Sequence, residues 1–377
     1  MVRIAFTGDI SFSKYMKDAW LKEDLLDEQV TGFLQSADYV VANVECTLSD
    51  KPIVGGGLKH ASDPAAGGFI RNKLNARIWS LANNHILDCK AQGLLDTLQA
   101  AKDHGCQTIG AGANREEAAK PVYLDEAGGI GIFSVTFNMK SMETPDDEPG
   151  VFFWKDTERI QKTIDRIKAR CRWCVMVVHG QSCEFTNLPL PISRDRMKAF
   201  LEMGADVIVG HHPHVVQNYE RFGEKMIFYS LGNFIFDTDY QRQRNYTQYG
   251  MLLKLKFTEN SWDWEYQPIL IDREENRIRA GENPVIFTNV DEAEYDLLKD
   301  LVYADFVITN RATRMYLNAE KYGAYTDKDW YDYDARWMGT QGADLVREGI
   351  ERAKLGLWKK ARKELQRYIG KELPFVK

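Results

Sequence analysis

The chain has 377 residues, a net charge of −6, and hydrophobic and charged shares of 44% and 28%, as in an ordinary soluble protein. The chain therefore lacks the net positive charge that is typical of nucleic-acid-binding proteins. No apolar run approaches the roughly 18–20 residues that span a bilayer, and residues 1–6 follow a strand pattern rather than that of a signal peptide. We therefore expect a cytoplasmic protein that has no transmembrane segment and binds no nucleic acid.

The first two predicted strands end in side chains that can bind a metal. Residues 3–9 predict a strand that ends in Asp9, and residues 39–45 predict another. Because alternate residues of a strand share a face, Asn43 and Glu45 are expected to point the same way.

A third strand leads into the most informative polar segment. An apolar run over residues 76–81 is followed by Asn84, His85 and Asp88, and residues 93–105 then have helical spacing with a glycine stop. Ligand sites of α/β sheets lie at the carboxyl ends of strands. Adjacent amide and imidazole groups there suit a metal with nitrogen and oxygen ligands. Taken alone, the segment is equally well read as a capped turn with a satisfied histidine.

The same pattern returns in the second half of the chain. Residues 173–179 predict a buried strand that ends in His179, and residues 206–210 predict another that leads into a histidine cluster, His211, His212 and His214. Such side chains are costly to bury unpaired, so we interpret their recurrence at strand ends as one shared site. The remaining predictions are helices at 13–36, 157–170 and 194–203 and strands at 108–112, 121–124, 130–135, 225–233, 249–257 and 262–271.

The ligand chemistry at these strand ends predicts the class of metal. Mixed carboxylate, amide and imidazole ligands suit Mn, Fe or Zn. Two such ions about 3.5–4 Å apart would clamp a phosphate group and activate a water molecule. The sequence therefore predicts two divalent metal ions and an anionic phosphoester substrate.

Five motifs together resemble the bacterial capsule-synthesis CapA family, also called the poly-γ-glutamate biosynthesis PgsA/CapA family. They are Gly8-Asp9, Asn43-Val-Glu45, Leu81-Ala-Asn-Asn-His-Ile-Leu-Asp88, Gly204-Ala-Asp-Val-Ile-Val-Gly-His-His-Pro-His214 and Tyr229-Ser-Leu-Gly-Asn-Phe-Ile-Phe236. The resemblance spans roughly residues 1–255. This family is similar to the calcineurin-like metallophosphoesterases, which implies a four-layer αββα sandwich with a two-metal site at the strand ends.

The resemblance also implies roles for individual residues. The expected metal ligands are Asp9, Glu45, Asn84, His179, His212 and His214. It leaves open whether His211 or His212 is the ligand, and we favour His212 because His-Pro-His matches the superfamily's His-x-His. His85 is expected to face the phosphate and to act in catalysis with Asp88. The expected substrate-binding residues are Asn43, His60, His211 and Asn233.

The sequence departs from the superfamily pattern at two of these motifs. Ser11 stands where the first Asp-x-His motif has histidine, and Lys90 stands where the segment after Asp88 usually has glycine. The first departure keeps two functions open. One is a metal-dependent hydrolase of a phosphoester linked to capsule or other surface-polymer biosynthesis. The other is a metal-binding accessory protein of capsule or poly-γ-glutamate assembly without turnover.

The sequence pattern toward the end of the chain predicts helices rather than strands. We predict a first domain over residues 1–285 and a C-terminal helical subdomain over residues 286–377. Residues 345–369 form a basic amphipathic pattern. Such a helix packs on its own domain or contacts an anionic membrane surface or a protein partner.

The six cysteines are expected to be reduced. Their scattered spacing gives no disulfide framework. Cys171 and Cys174 have CxxC spacing, but the chain contains no second pair to complete a zinc ribbon. A redox role for this pair is the alternative to structural thiols.

Overall fold

Two β-sheets lie face to face in the computed structural model, which describes residues 1–55, 58–137, 146–180, 187–242, 246–282, 287–293, 295 and 296. The strands are β1 Val2–Ile10, β2 Tyr39–Val44, β3 Thr47–Leu48, β4 Ala61–Ser62, β5 Ala76–Ser80, β6 Gln107–Ile109, β7 Ala111–Gly112, β8 Val122–Leu124, β9 Ile130–Thr136, β10 Gly150–Val151, β11 Trp173–His179, β12 Val207–His211, β13 Val216–Phe222, β14 Lys225–Leu231, β15 Asn233–Ile235, β16 Tyr249–Phe257, β17 Trp262–Asp272 and β18 Arg277–Ala280. The helices are α1 Glu28–Gln35, α2 Ala66–Asn72, α3 Lys90–Asp103, α4 Arg115–Ala118, α5 Thr157–Lys168, α6 Pro191–Glu202 and α7 Asp239–Arg242.

Each large sheet has a parallel half whose strand ends face one edge. The first sheet has the order β18-β17-β16-β1-β2-β5-β6, with β15 beside the end of β1, and its β1, β2, β5 and β6 are parallel. The second has the order β13-β14-β12-β11-β9-β8, and its β9, β11, β12 and β14 are parallel. The carboxyl ends of these parallel strands carry the polar side chains that the sequence singles out.

The alternation of apolar residues along the strands builds four layers. On β1, Ile4 and Phe6 are buried between the two sheets, whereas Ala5 packs with the residues of α1, α2 and α3. On β11, Val175 faces the space between the sheets, and Met176 packs with α5 and α6. The order is therefore helices, sheet, sheet, helices, which confirms the predicted αββα sandwich.

Most predicted elements are present, but the helix expected over residues 13–36 is wrong in its first half. Two 3-10 turns, Lys14–Met16 and Ala19–Leu21, occupy that part, and only α1 is helical. Lys14 and Asp18 have φ angles of 53° and 58°. These left-handed conformations cannot continue a right-handed helix, so the chain turns instead of propagating one.

Two of the described residues after β18 lie in the core beside the second sheet. Val290 and Tyr295 are buried in the core that contains α5 and α6, and Val290 donates its backbone N–H to Tyr219 O at 2.8 Å. The division near residue 285 stays a prediction. The predicted C-terminal helix at 345–369 lies outside the described residues.

Two further predictions concern thiols and membranes. Within the described part of the chain, five cysteines are free and buried, Cys171 and Cys174 among them. Cys183 lies outside it. Among the described helices, none has the length and apolar character needed to cross a membrane.

Candidate metal centre and active site

A close approach between two strands places the first carboxylate. A Cβ atom on Gly8 would lie 2.3 Å from the carbonyl oxygen of Gly232, so only glycine allows β1 to reach β15 here. The backbone N–H of Asp9 then donates to Gly232 O at 3.0 Å. As a result, Asp9 lies opposite Asn233 at the edge of the first sheet.

Glu45, directly after β2, is the residue on which the histidines converge. Its Oε1 atom has no solvent exposure and lies within 4.0 Å of nitrogens from four imidazole rings. The distances are 3.4 Å to His179 Nε2, 3.8 Å to His212 Nδ1, 3.8 Å to His214 Nε2 and 4.0 Å to His85 Nε2. Two groups of ligand atoms close enough to hold a metal ion share this carboxylate: Glu45 with His179 and His212, and Glu45 with Asp9 and His214.

Asp9 is surrounded by donors and remains ionised. Its Oδ1 atom accepts hydrogen bonds from Asn43 Nδ2 at 2.8 Å and from His211 Nδ1 at 3.1 Å, and its Oδ2 atom lies 3.3 Å from His214 Nδ1. Burial alone would raise the pKa of Asp9, but the contacts with His211 and His214 hold that pKa well below its ordinary value. The carboxylate is therefore available as an anionic ligand.

Asn233 selects the tautomer of His214. The amide nitrogen of Asn233 donates to the carbonyl oxygens of Thr247 and His214, so its Oδ1 atom is left to accept from His214 Nδ1 at 2.8 Å. With the proton on Nδ1, the lone pair of His214 lies on Nε2, the atom nearest Glu45.

The turn that presents these histidines has a strained backbone. His212 and His214 have φ angles of 93° and 56°, which residues other than glycine rarely adopt. Non-glycine residues in such conformations cluster at functional sites. The side chain of His212 is 21% exposed, whereas that of His214 is buried.

Asn84 and His179 join the two sheets. Asn84 follows β5 of the first sheet, and its Oδ1 atom lies 2.7 Å from Nε2 of His179, the last residue of β11 in the second sheet. Burial lowers the pKa of His179 most, and the neighbouring His212 lowers it further, so that this pKa lies well below its ordinary value. The imidazole is therefore neutral and can act as a ligand.

His85 is held by a buried carboxylate. Its Nδ1 atom lies 2.7 Å from Asp88 Oδ2, and Lys59 Nζ donates to Asp88 Oδ1 at 2.6 Å. Burial by itself would raise the pKa of Asp88, but the hydrogen bonds from His85 and Lys59 lower it. Asp88 is thus ionised and accepts a hydrogen bond from the Nδ1–H group of His85, which leaves Nε2 of His85 directed toward Glu45.

The site also contains buried polar atoms that have no hydrogen-bond partner in the described part of the chain. Asn43 Oδ1 and His179 Nδ1 are buried and make no hydrogen bond within the described part of the chain. Leaving such an atom unpaired costs about 1–3 kcal/mol. Together with two fully buried carboxylates among several imidazoles, these atoms fit a divalent cation with nitrogen and oxygen ligands.

The structure thus brings together every residue that the sequence analysis placed at the site. Sequence reasoning missed Ser13 and Phe236, whose side chains contact His60. Phe236 belongs to a motif that we noted, whereas Ser13 carried no signal. Arg194 forms a buried ion pair with Glu220.

Comparisons with known proteins show which proteins this chain is similar to. Residues 3–238 match the family model described as bacterial capsule synthesis protein PGA_cap. The capsule biosynthesis protein CapA of Bacillus anthracis is 30% identical over 254 residues, which cover 64% of this chain and 61% of that protein. The PGA biosynthesis protein CapA of Bacillus subtilis is 30% identical over 255 residues, covering 64% and 65%.

The chain thus spans somewhat less than two thirds of the length of these relatives. Among solved structures, the calcineurin-like phosphoesterase YfkN from Bacillus subtilis is similar with a TM-score of 0.39 and 13% identity, covering 71% of this chain and 90% of that one. Because the family model matches well over half of the residues, the chain belongs to the bacterial capsule synthesis PGA_cap family.

Proposed function

We propose that this chain is a metal-dependent hydrolase of a phosphoester linked to capsule or other surface-polymer biosynthesis. The observation that carries the proposal is the position of Glu45, whose buried Oε1 atom lies within 4.0 Å of nitrogens from four histidines. One carboxylate shared by two ligand groups is the arrangement that a pair of adjacent cations needs.

The proposed ligands divide between the two sides of Glu45. His179, His212 and the amide of Asn84 belong to one side, and Asp9 and His214 belong to the other. Two divalent cations, Mn, Fe or Zn, would neutralise phosphoryl oxygens there and lower the pKa of a bound water molecule. Asn43, His211 and Asn233 orient Asp9 and His214 through hydrogen bonds, and their contact with substrate stays a prediction.

His85 is assigned to proton transfer. Its Nδ1 atom is committed to Asp88, so Nε2 is the atom that faces the site. An anionic phosphate beside this ring favours the imidazolium form, which donates a proton to the phosphate or to the leaving oxygen. Asp88 holds the ring in place and stabilises its positive charge.

A non-catalytic, metal-binding accessory protein of capsule or poly-γ-glutamate assembly is the second candidate. It is favoured by Ser11, which supplies no imidazole at the position two residues after Asp9. Its Oγ atom bonds to Ser13 at 2.9 Å. The side holding Asp9 and His214 therefore has fewer nitrogen ligands than the superfamily pattern, which supports binding without turnover. Cytoplasmic location and a membrane or protein contact through residues 345–369 stay predictions.

Metal analysis combined with an activity panel tests the proposal. The purified full chain is analysed for bound metals and assayed with phosphomonoesters and phosphodiesters after loading with Mn²⁺, Fe²⁺ or Zn²⁺. We expect two equivalents of metal and turnover of at least one ester class. Stoichiometric metal without turnover in any assay would favour the accessory protein.

A further inference from the structure

His60 is a fully buried histidine that packs against the proposed proton donor. Its ring and that of His85 meet edge to face, with centroids 4.2 Å apart and planes at 89°. On another side it contacts the ring of Phe236 at 4.8 Å. Phe236 in turn contacts the ring of His214 at 4.6 Å. The ring of His60 is thus enclosed between the donor and the ligand cluster.

A second connection runs through the backbone of the same residue. The N–H group of His60 donates to Asp88 Oδ2 at 2.8 Å, the same oxygen that accepts from His85 Nδ1 at 2.7 Å. The preceding residue, Lys59, occupies the other oxygen. His60 therefore touches both members of the His85–Asp88 pair.

Ser13 anchors this histidine to the strand that carries Asp9. Its Oγ atom lies 2.5 Å from His60 Nδ1 and 2.9 Å from the hydroxyl of Ser11, and both serines follow β1 closely. The position of the His85 ring is in this way tied to the strand that supplies the first carboxylate.

A buried imidazole at position 60 is less favourable than an apolar ring of similar size would be. Its Nε2 atom is buried and makes no hydrogen bond within the described residues, and a buried polar atom without a partner is destabilising. A phenylalanine would fill similar space without that cost, but it could not bond to Ser13.

We infer that His60, held by Ser13, is a positioning residue that fixes the His85–Asp88 pair for proton donation. This inference rests on the proposed function. It gives His60 a role through His85, in addition to the packing that any buried ring would provide.

The experiment uses the full chain loaded with Mn²⁺ and two substrates that differ in their need for a proton. An alkyl phosphate has a poor leaving group that must be protonated, whereas p-nitrophenyl phosphate releases a stable anion. For His60→Ala we expect kcat with the alkyl phosphate to fall about 10- to 100-fold, the size of a small misplacement, and kcat with p-nitrophenyl phosphate to fall less than about threefold. Metal content should be unchanged.

Three further variants separate the contacts. His60→Phe keeps the ring but not the bond to Ser13, and His60→Gln can keep the bond but not the ring, so both should fall between wild type and His60→Ala. His104→Ala is the matched control, because His104 lies at the C-terminal end of α3, about 20 Å from the helix end nearest His85. An equal loss with both substrates, or no loss, would overturn the inference.

A measurement without turnover separates this inference from the proposed function. In wild type, the Nδ1 proton of His85 that is bonded to Asp88 should give a protected downfield NMR signal, assigned by its loss in His85→Ala. The signal should broaden or disappear in His60→Ala and persist in His104→Ala. If wild type cleaves neither ester, the proposed function fails, and a signal that persists in His60→Ala would then refute the positioning role by itself.

Discussion

Asn84 and His179 come from different sheets, yet Asn84 Oδ1 lies 2.7 Å from His179 Nε2. The bond crosses the interface at the edge where the parallel strands of both sheets end. The candidate site is therefore formed only when the two sheets are packed together. This relationship leads to the first of five predictions.

Replacing Asn84 by alanine should weaken metal binding. The change removes a proposed amide ligand and the polar contact that holds His179 beside it. Losing such an orienting partner typically costs about 10- to 100-fold in metal affinity. Calorimetric titration with Mn²⁺ measures the effect, with Asn72→Ala, an exposed residue at the end of α2, as control. Equal affinities for the two variants would remove Asn84 from the ligand set.

Replacing His85 and His212 separately should distinguish proton donation from metal binding. His85→Ala is expected to lower kcat by about two to four orders of magnitude, the size of a general-acid contribution, with metal content near wild type. His212→Ala should lose both metal and activity. Elemental analysis and ester hydrolysis are measured on the same samples. A His85→Ala protein that also lacks metal would show that His85 is a ligand.

A methyl group at Gly8 should damage both the fold and the site. The Cβ atom would lie 2.3 Å from Gly232 O, so β15 must shift, at a cost of about 1–3 kcal/mol in the free energy of unfolding. Metal affinity should fall as well, because Asp9 and Asn233 are the next residues. The control is Gly32→Ala in α1, where nothing lies within 4 Å; it should stabilise by about 0.5–1 kcal/mol. Urea unfolding compares the two variants.

Removing Arg194 should destabilise the second sheet through Glu220. The guanidinium donates two hydrogen bonds to this buried carboxylate, at 2.7 and 2.9 Å. Arg194→Met leaves the charge of Glu220 in the core without that partner, which typically costs about 3–5 kcal/mol. Urea unfolding at pH 7 measures the loss.

The same ion pair should contribute to acid unfolding. Burial would raise the pKa of Glu220, but the hydrogen bonds from Arg194 and Tyr229 lower it. A lowered pKa means stability that is present above the unfolded-state pKa of about 4.3 and is lost as the pH falls through the folded-state value. The free energy of unfolding should therefore decline less steeply below about pH 5 in Arg194→Met than in wild type. Parallel pH curves would contradict this.

Sequence patterns could locate the strand ends because the signal there is local. Asp9 and His179 lie at the ends of the apolar strands β1 and β11, Glu45 directly follows β2, and parallel strands bring such positions to one edge. The four layers were expected from the family resemblance. Lys90, where glycine is usual, still has a φ angle of 60°, so the backbone of that motif is kept although the residue differs.

Other features depend on contacts between distant segments and could not be predicted. The bond between Ser13 and His60 joins residues 47 positions apart, and no periodicity links them. The same holds for the buried pair of Arg194 and Glu220, since each residue alone looks like an ordinary surface charge. The helix expected over residues 13–36 was wrong in its first half because apolar spacing does not reveal left-handed residues such as Lys14 and Asp18.

The φ angle of 93° at His212 favours glycine, whereas the proposed metal site needs the imidazole side chain at this position. Glycine would adopt this conformation without strain, but it would remove the imidazole that faces Glu45. A chain with glycine at this position would be expected to have a less strained backbone and to lack the imidazole ligand. Natural proteins often accept such a trade-off between stability and activity. In this fold both strained residues, His212 and His214, belong to the turn after β12.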